Sequence, residues 1–250
     1  MQKFLIFIFL SVMFNGASAN DVTVADKLKI AMSADSRPEQ DRVRDRNRLP
    51  VETLAFFGLE ESMTVVELIP GGGWYTRLLA PVLADKGNFY VAIMTDRVEK
   101  NIVGRDGFEN NIKITARNAK GSYDQKQRRY LLDMTGLGVE QADMVLTFRN
   151  YHNFGTAARA AMNSAAYEAL KPGGVYGVVD HTRRHMEADS PENRRRFDPV
   201  LAIKEIQAAG FELVDYSDLH YRADDELRYE VGRKTVTGNT DRWTLKFRKP

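Results

Sequence analysis

The stretch Val65-Val-Glu-Leu-Ile-Pro-Gly-Gly-Gly-Trp-Tyr-Thr76 constrains the fold most: an apolar run enters three consecutive glycines and then opens a second apolar segment. Thr64 to Leu68 suits a buried strand, and the glycines after it allow a turn that no side chain obstructs. Such a turn either sets backbone N–H groups and a helix N-terminus beside a ligand or serves plain tight packing. A strand feeding a helix in this way is half of a βαβ unit and asks for a parallel sheet.

The rest of the chain keeps that alternation. Trp74 to Ala84 reads as the helix after the first strand, Phe89 to Met94 as a second strand, Ile112 to Ala116 as a third and Met144 to Phe148 as a fourth. An alanine-rich helix over 156–170 stops at Lys171-Pro-Gly-Gly and delivers a fifth strand, Val175 to Val179. Ile203 to Ala209 is a helix ended by Gly210, Phe211 to Tyr216 a sixth strand, and Arg242 to Phe247 a half-exposed antiparallel strand. Pro50 to Phe57 before Gly58 has the punctuation of a short helix. The polar connections 118–133 and 218–241 read as functional or mobile loops.

Ahead of this pattern stand Met1-Gln2-Lys3, an apolar run from Phe4 to Phe14, and Ala17-Ser18-Ala19. That is the charged start, apolar middle and cleavage site of a signal peptide, so the expectation is removal of residues 1–19 and export to a periplasm-like compartment. The run is shorter than the about 20 residues a bilayer crossing takes, and no membrane span is expected in the mature protein. The remainder divides into a charged lead-in over 20–48 and one domain over 49–250. The lead-in holds Arg37-Pro-Glu-Gln-Asp-Arg-Val-Arg-Asp-Arg-Asn-Arg48, which suits a solvated face, with a lid over a ligand site as the alternative. With no cysteine, the fold uses no disulfide, thiolate nucleophile or zinc-thiolate site. The balance of 36 basic to 34 acidic residues argues against binding nucleic acid by general attraction. The partner expected is a small molecule; oligomeric state is not legible.

The order of elements and the glycine turn resemble the class I S-adenosylmethionine methyltransferases. Glu67 with Gly71 and Gly73 falls in register with their first motif, and Ala142-Asp-Met-Val-Leu-Thr-Phe148 resembles their fourth-strand motif. Leu170-Lys-Pro-Gly-Gly-Val-Tyr-Gly-Val-Val179 resembles the turn and strand after it, and the likeness spans roughly residues 50 to 248. More narrowly, Pro-Gly-Gly-Gly-Trp-Tyr-Thr, Phe148-Arg-Asn-Tyr-His-Asn153 and Thr240-Asp-Arg-Trp-Thr-Leu-Lys-Phe-Arg-Lys-Pro250 resemble a bacterial family of predicted, often exported methyltransferases. The resemblance implies a Rossmann-like α/β fold: a mainly parallel seven-stranded sheet, an antiparallel C-terminal strand and helices on both faces. It implies S-adenosylmethionine as cofactor, beside Glu67, Pro70, Gly71, Gly72, Gly73, Trp74, Tyr75, Asp96, Phe148 and Arg149. Two positions depart from the pattern. Ile69 stands where the first glycine is usual, and Ile93 where an acidic residue grips the ribose hydroxyls. A missing carboxylate removes a charged hydrogen bond worth about 1.5 to 3 kcal/mol, and Asp96 is the nearest substitute in sequence.

Arg149-Asn150-Tyr151-His152-Asn153 follows the fourth strand, and ligands of open parallel sheets lie at the carboxyl ends of strands. His152 has the intrinsic range of a general base, Asn150 and Asn153 suit substrate orientation, and Tyr75, Phe148 or Tyr151 suits a sulfonium charge. The competing use is capping of the next helix. Asp180-His181 ends the fifth strand, with His185 beyond: His181 reads as a second base or substrate contact, a metal ligand, or an ordinary hydrogen-bonded histidine. Without a HExxH glutamate or a cysteine, no metal is expected. Arg183-Arg184 and Arg194-Arg195-Arg196 suit an anionic acceptor or a solvated face, and Phe56 and Phe57 read as core. The leading expectation is an exported methyltransferase acting on a small molecule through His152, Asn150 and His181. The alternative is a non-catalytic small-ligand-binding protein on the same fold; a hydrolase using His152 and Asp180 lacks a nucleophile motif.

Overall fold

The computed structural model describes residues 22–105, 107–108, 111–116 and 119–250, so the leader over 1–19 lies outside the described residues. The helices are α1 (Val24–Ser33), α2 (Glu39–Arg42), α3 (Asp45–Arg48), α4 (Pro50–Phe57), α5 (Thr76–Leu83), α6 (Asp96–Asn101), α7 (Thr156–Ala169) and α8 (Pro199–Ala208). The strands are β1 (Thr64–Leu68), β2 (Asn88–Ala92), β3 (Lys113–Thr115), β4 (Lys120–Asp124), β5 (Arg129–Asp133), β6 (Ala142–Phe148), β7 (Leu170–His181), β8 (Glu212–Ser217) and β9 (Arg242–Arg248). None of the described helices is long and apolar enough to cross a membrane.

Seven of these strands form one sheet in the order β3-β2-β1-β6-β7-β9-β8. β1 pairs parallel with β2 and β6, and β6 with β7, while β9 runs antiparallel to both β7 and β8. From β1 the chain steps outward through β2 to β3 and then returns to β6 on the other side. That reversal is a topological switch point, where the connections leave a crevice open at the strands' carboxyl ends.

Successive side chains of a strand point to opposite faces, and both faces here are covered. Val66, Leu68 and Val145 pack in one apolar cluster with Ala158, Met162 and Ala166 of α7 and Ile206 of α8. Val65, Met144 and Leu146 pack in the other with Leu28 of α1, Leu54 and Phe57 of α4 and Leu79 of α5. The alanines that make α7 a strong helix former also let it lie close to the sheet. In β7 an added Cβ at Gly177 would stand 2.9 Å from the Phe57 ring and 2.7 Å from Leu146, so glycine makes room for Phe57.

Three segments differ from the sequence expectation. Lys171-Pro-Gly-Gly continues β7 and does not form a turn, and the pairing with β6 absorbs it by a register shift between Ala142 and Met144. The connection 118–133 contains the hairpin β4–β5, docked by Tyr130 on Phe154 with ring centroids 5.7 Å apart. Residues 22–48 do not simply face water. α1 starts with a Thr23–Asp26 capping box and buries Leu28 and Ala31. Arg37 is buried in a bidentate pair with Asp45, at 2.7 and 2.8 Å, and also donates to the Met32 carbonyl. Part of the mixed-charge run is thus satisfied inside, while Glu39, Arg44 and Arg46 remain exposed as a solvated face requires.

His220 ties this segment to the sheet. Its Nε2 lies 3.0 Å from the Arg48 carbonyl and its Nδ1 2.7 Å from Thr244 Oγ1 on β9. A carbonyl only accepts, so Nε2 carries the proton and Nδ1 accepts from Thr244. Burial pushes His220 from the ordinary 6.5 down to about 4. The folded value lies below the unfolded one, so acid is taken up first by the unfolded chain. The contribution is whole above about pH 6.5 and is lost as pH falls toward 4, by roughly 3 kcal/mol. His220→Gln is therefore expected to be less stable than the wild type at pH 7 and to lose less stability on going to pH 4.5. Urea unfolding at the two pH values checks this, and equal losses in the two proteins would remove His220 from the acid response.

Candidate functional site

Above the carboxyl ends of β1, β6 and β7 lies a cavity of about 690 Å³. Its size is that of a small-molecule cleft, about 300 to 1,000 Å³. Ile69, Pro70, Gly71 and Gly72 line it from the turn after β1, Trp74 and Tyr75 from the start of α5, and Phe148, Arg149, Asn150, His152 and Asn153 from the segment after β6. His181 enters from β7, and Pro38, Gln40, Asp41, Arg44 and Arg48 from the N-terminal segment.

The glycines do different things. Gly71 has φ +57° and nothing within 4 Å of an added Cβ, so the backbone there is open to a ligand. Gly73 has φ +79°, and an added Cβ would stand 2.0 Å from Ile102 Cδ1. It is a packing glycine against the residue that caps α6, and it does not line the cavity. Four residues without glycine's freedom also turn left-handed at the strand ends: Ile69 at φ +54°, Ile93 at +66°, Met94 at +52° and Arg149 at +61°. That conformation costs a side-chain-bearing residue roughly 1–2 kcal/mol, and such strain collects at ligand sites. Hydrogen bonds hold it, from Ile69 N–H to the Ala92 carbonyl at 2.8 Å and from Arg149 N–H to Val179 at 2.6 Å.

Ile69 lines the cavity, whereas Ile93 is buried behind it. Asp96 is exposed on the first turn of α6 and does not line the cavity, though its neighbour Arg97 does. The acidic residues that do line it are Glu67 and Asp41. Glu67 is buried and accepts from Thr76 Oγ1 at 2.6 Å, and burial raises its carboxyl to about 7 against the opposing pull of that bond and of Arg48.

Tyr75 stacks on Phe148 with centroids 3.5 Å apart, and Trp74 meets Tyr75 edge-on at 4.6 Å. The guanidinium groups of Arg48 and Arg37 lie 4.3 and 5.2 Å from the Trp74 ring centre, and Trp74 Nε1–H donates to the Asp41 carbonyl at 2.9 Å. Cation–π contacts of about 0.5 to 2 kcal/mol each fasten the N-terminal segment onto the glycine turn. Tyr151 is placed differently from expectation. It is fully buried, its hydroxyl donating to Glu205 and accepting from Asn163, both at 2.9 Å, with its ring against Phe197.

His152 and Asp180 come together at the centre of the crevice. His152 Nδ1 stands 2.6 Å from Asp180 Oδ1, and the His152 backbone N–H donates to Oδ2 at 2.8 Å. The His181 N–H also donates to Oδ1, at 2.6 Å. With its acceptors converged upon, Asp180 fixes the proton on His152 Nδ1 and leaves Nε2 with a lone pair and no protein partner among the described residues. Asn150 Nδ2 donates to the Ile69 carbonyl at 3.1 Å and joins the end of β6 to that of β1. His181 Nδ1 lies 2.8 Å from Thr240 Oγ1, and burial followed by Arg242 drives its pKa well down, leaving it neutral.

The other sequence candidates stand elsewhere. His185 pairs with Asp198 at 2.9 Å away from the cavity. Arg196 is fully buried in a bidentate pair with Asp225 at 2.8 and 2.9 Å, which pins the 218–241 connection, and Arg183 pairs with Asp189. Arg195, paired with Glu230, is the member of that cluster that reaches the cavity. Sequence reading missed Arg44, Arg48, Arg77 and Arg97 as lining groups. Arg48 is held there by its contact with the Trp74 ring, and Arg44 lines the cavity from the same segment, for which the sequence offered only the general alternative of a lid. Among the described residues no group of three or more histidine, aspartate and glutamate side chains is placed to hold a metal ion.

No protein-family model and no curated protein matches the chain by sequence. Solved structures match its shape. An S-adenosylmethionine-dependent methyltransferase from Aquifex aeolicus superposes with a TM-score of 0.55 at 14% identity, over 89% of this chain and 97% of that one. Human N-acetylserotonin methyltransferase, in complex with S-adenosylmethionine, gives 0.53 at 13% identity, over 94% of this chain and 60% of that one. A [4+2]-cyclase gives 0.51 at 16% identity, over 87% and 85%. At such identities the likeness carries the fold: this chain has the Rossmann-like class I methyltransferase fold.

Proposed function

We propose that the protein is an S-adenosylmethionine-dependent methyltransferase acting on a small molecule. The observation that carries this reading is the juxtaposition of the open Gly71-Gly72 turn with a histidine whose Nδ1 is held by Asp180 and whose Nε2 is free, both in one cavity. The fit to the donor is good at the turn. Open backbone at Gly71, the Glu67 carboxyl and the Tyr75–Phe148 stack offer amides, a negative charge and a π face to a zwitterionic sulfonium compound. Bound there, the donor supplies an electrophilic methyl group. His152 Nε2 takes the proton from an oxygen or nitrogen acceptor, Asp180 stabilises the resulting imidazolium, and Asn150 keeps the end of β6 in register with the turn. His181, neutral and beside His152 with ring centroids 5.7 Å apart, contacts substrate without adding charge.

Titration with S-adenosylmethionine and S-adenosylhomocysteine is expected to give micromolar binding, about −8 kcal/mol. A positive sulfonium favours ionised Glu67. Since that carboxyl sits near 7 in the free protein, affinity for S-adenosylmethionine should fall below pH 7 more steeply than affinity for the uncharged thioether. Calorimetry at pH 6 and 8 reads this, and parallel pH profiles would take Glu67 away from the sulfonium. No heat with either compound at millimolar concentration would favour a second reading, a non-catalytic protein for another small ligand. One observation supports that reading: among the described residues no carboxylate from the segment after β2 lines the cavity to grip a ribose.

His152→Ala and Asp180→Asn are each expected to lower S-adenosylhomocysteine formation by about 10²–10⁴-fold while leaving donor affinity within a few-fold. The assay uses a small-molecule extract of the producing cells as the source of acceptor, and unchanged turnover would remove the pair from the mechanism.

The compartment belongs to the same proposal: residues 1–19 direct export and are cleaved, a reading supported by the leader's composition and the absence of cysteine. Mass spectrometry of the protein recovered from the periplasmic fraction is expected to find Asn20 as the first residue. An intact Met1 in the cytoplasmic fraction would overturn it.

A further inference from the structure

A second cavity, of about 400 Å³, adjoins the first and shares Arg44, Arg48, Arg149, His181, Arg195 and Val231 with it. Arg242 lines the second cavity, and among the described residues no aspartate or glutamate does. Arg195 is paired with Glu230, but among the described residues Arg44, Arg48, Arg149 and Arg242 stand in no salt bridge with a carboxylate. Two of them are deeply buried, Arg48 at 3% and Arg242 at 6% exposure. Each keeps a buried nitrogen without a hydrogen-bond partner, Nη1 of Arg48 and Nε of Arg242.

These cations press on one another. Burial and then the charge of Arg149 push Arg48 down to about 8 and Arg242 to about 10. A guanidinium holds its proton in proteins, so relief comes from a counter-anion and not from deprotonation. The planar fork of arginine matches phosphate and carboxylate oxygens two at a time. Neutral donors stand alongside, with Asn47, Thr237 and Thr240 in the lining.

We infer that the second cavity anchors an oxyanion, a phosphate or carboxylate group, carried by the small-molecule acceptor, whose other end reaches His152. The acceptor's role rests on the methyltransferase reading; the anion binding does not. The charge distribution sorts the two ligands. Arginines line both cavities, but the carboxylates of Glu67 and Asp41 line the first alone and suit a cationic donor, while among the described residues no carboxylate lines the second. Arg149 and His181 line both cavities and place the boundary beside His152.

The test follows thermal unfolding of the protein in inorganic phosphate and in succinate, each against sodium chloride at equal ionic strength, with S-adenosylhomocysteine titrated in parallel. The expected result is a saturable rise in melting temperature with phosphate or with succinate that chloride does not reproduce, and the anion that gives it tells the two classes apart. Arg242→Gln and Arg48→Gln should each weaken that anion about tenfold or more. Should either fail to fold, Arg149→Lys keeps the charge, loses the fork, and should still weaken binding several-fold. A rise matched by chloride, or variants that bind as the wild type does, would overturn the anion site. Anion binding without S-adenosylhomocysteine binding would keep the site and sink the methyltransferase reading, and the reverse would sink the anion site alone.

Discussion

The carboxylate of Asp180 holds the crevice together. It has no exposure, and its oxygens take the backbone N–H groups of His152 and His181 and the imidazole Nδ1 of His152. A buried carboxylate is tolerable only when fully hydrogen-bonded, so the turn after β6 must fold onto the end of β7 for Asp180 to be satisfied. That requirement fixes the rotation and tautomer of His152 without any direct restraint on the face it turns to the cavity. Behind it the Tyr151–Glu205–Arg159 cluster gives the same turn a rigid backing, with Arg159 Nε and Nη2 donating to Glu205 at 2.7 Å each. The geometry of His152 thus comes from polar burial, where displacement by even an ångström leaves a charge unpaired.

A second constraint acts from the other side. The N-terminal segment contributes two guanidinium groups to the Trp74 ring and a carbonyl to its N–H, so the cavity is built partly by residues ahead of the fold's first strand. This gives the crevice a cationic character that the formal charge of the whole chain conceals. Near-neutral composition and an arginine-rich cavity coexist because exposed carboxylates elsewhere, such as Glu52, Glu60 and Asp96, balance those arginines in the total.

Most of the fold was legible in the sequence. Most strands follow from apolar runs, which are local, although the glycine and proline punctuation before Val175 hid the first residues of β7, and the switch point follows from the order of elements. Gly71, Gly72, His152, Asn150, His181, Phe148 and Arg149 line one cavity, as position after a strand leads the sequence to suggest. What escaped was non-local. Nothing near Arg48 in sequence shows that it meets Trp74, and nothing near Arg196 shows that Asp225 buries it. Asp96 was favoured by proximity to the end of β2, but the left-handed backbone at Ile93 and Met94 redirects the chain, and Arg97 reaches the cavity in its stead. Gly73, in register with a ligand motif, is occupied with packing against Ile102.

The contacts that hold the N-terminal segment in place reach to the far end of the chain. Arg48 meets His220 across 172 positions, and Asn47 accepts from Arg242 Nη1 across 195. Asn47 and Arg48 therefore wait for partners made 172 to 195 positions later, and the arginine-lined cavity is incomplete until those arrive. Loop closure over such separations is slow relative to pairing within a hairpin or a βαβ unit. Closure of the arginine-lined cavity therefore waits on β9, which brings both Arg242 to its wall and Thr244 to the histidine that anchors Arg48.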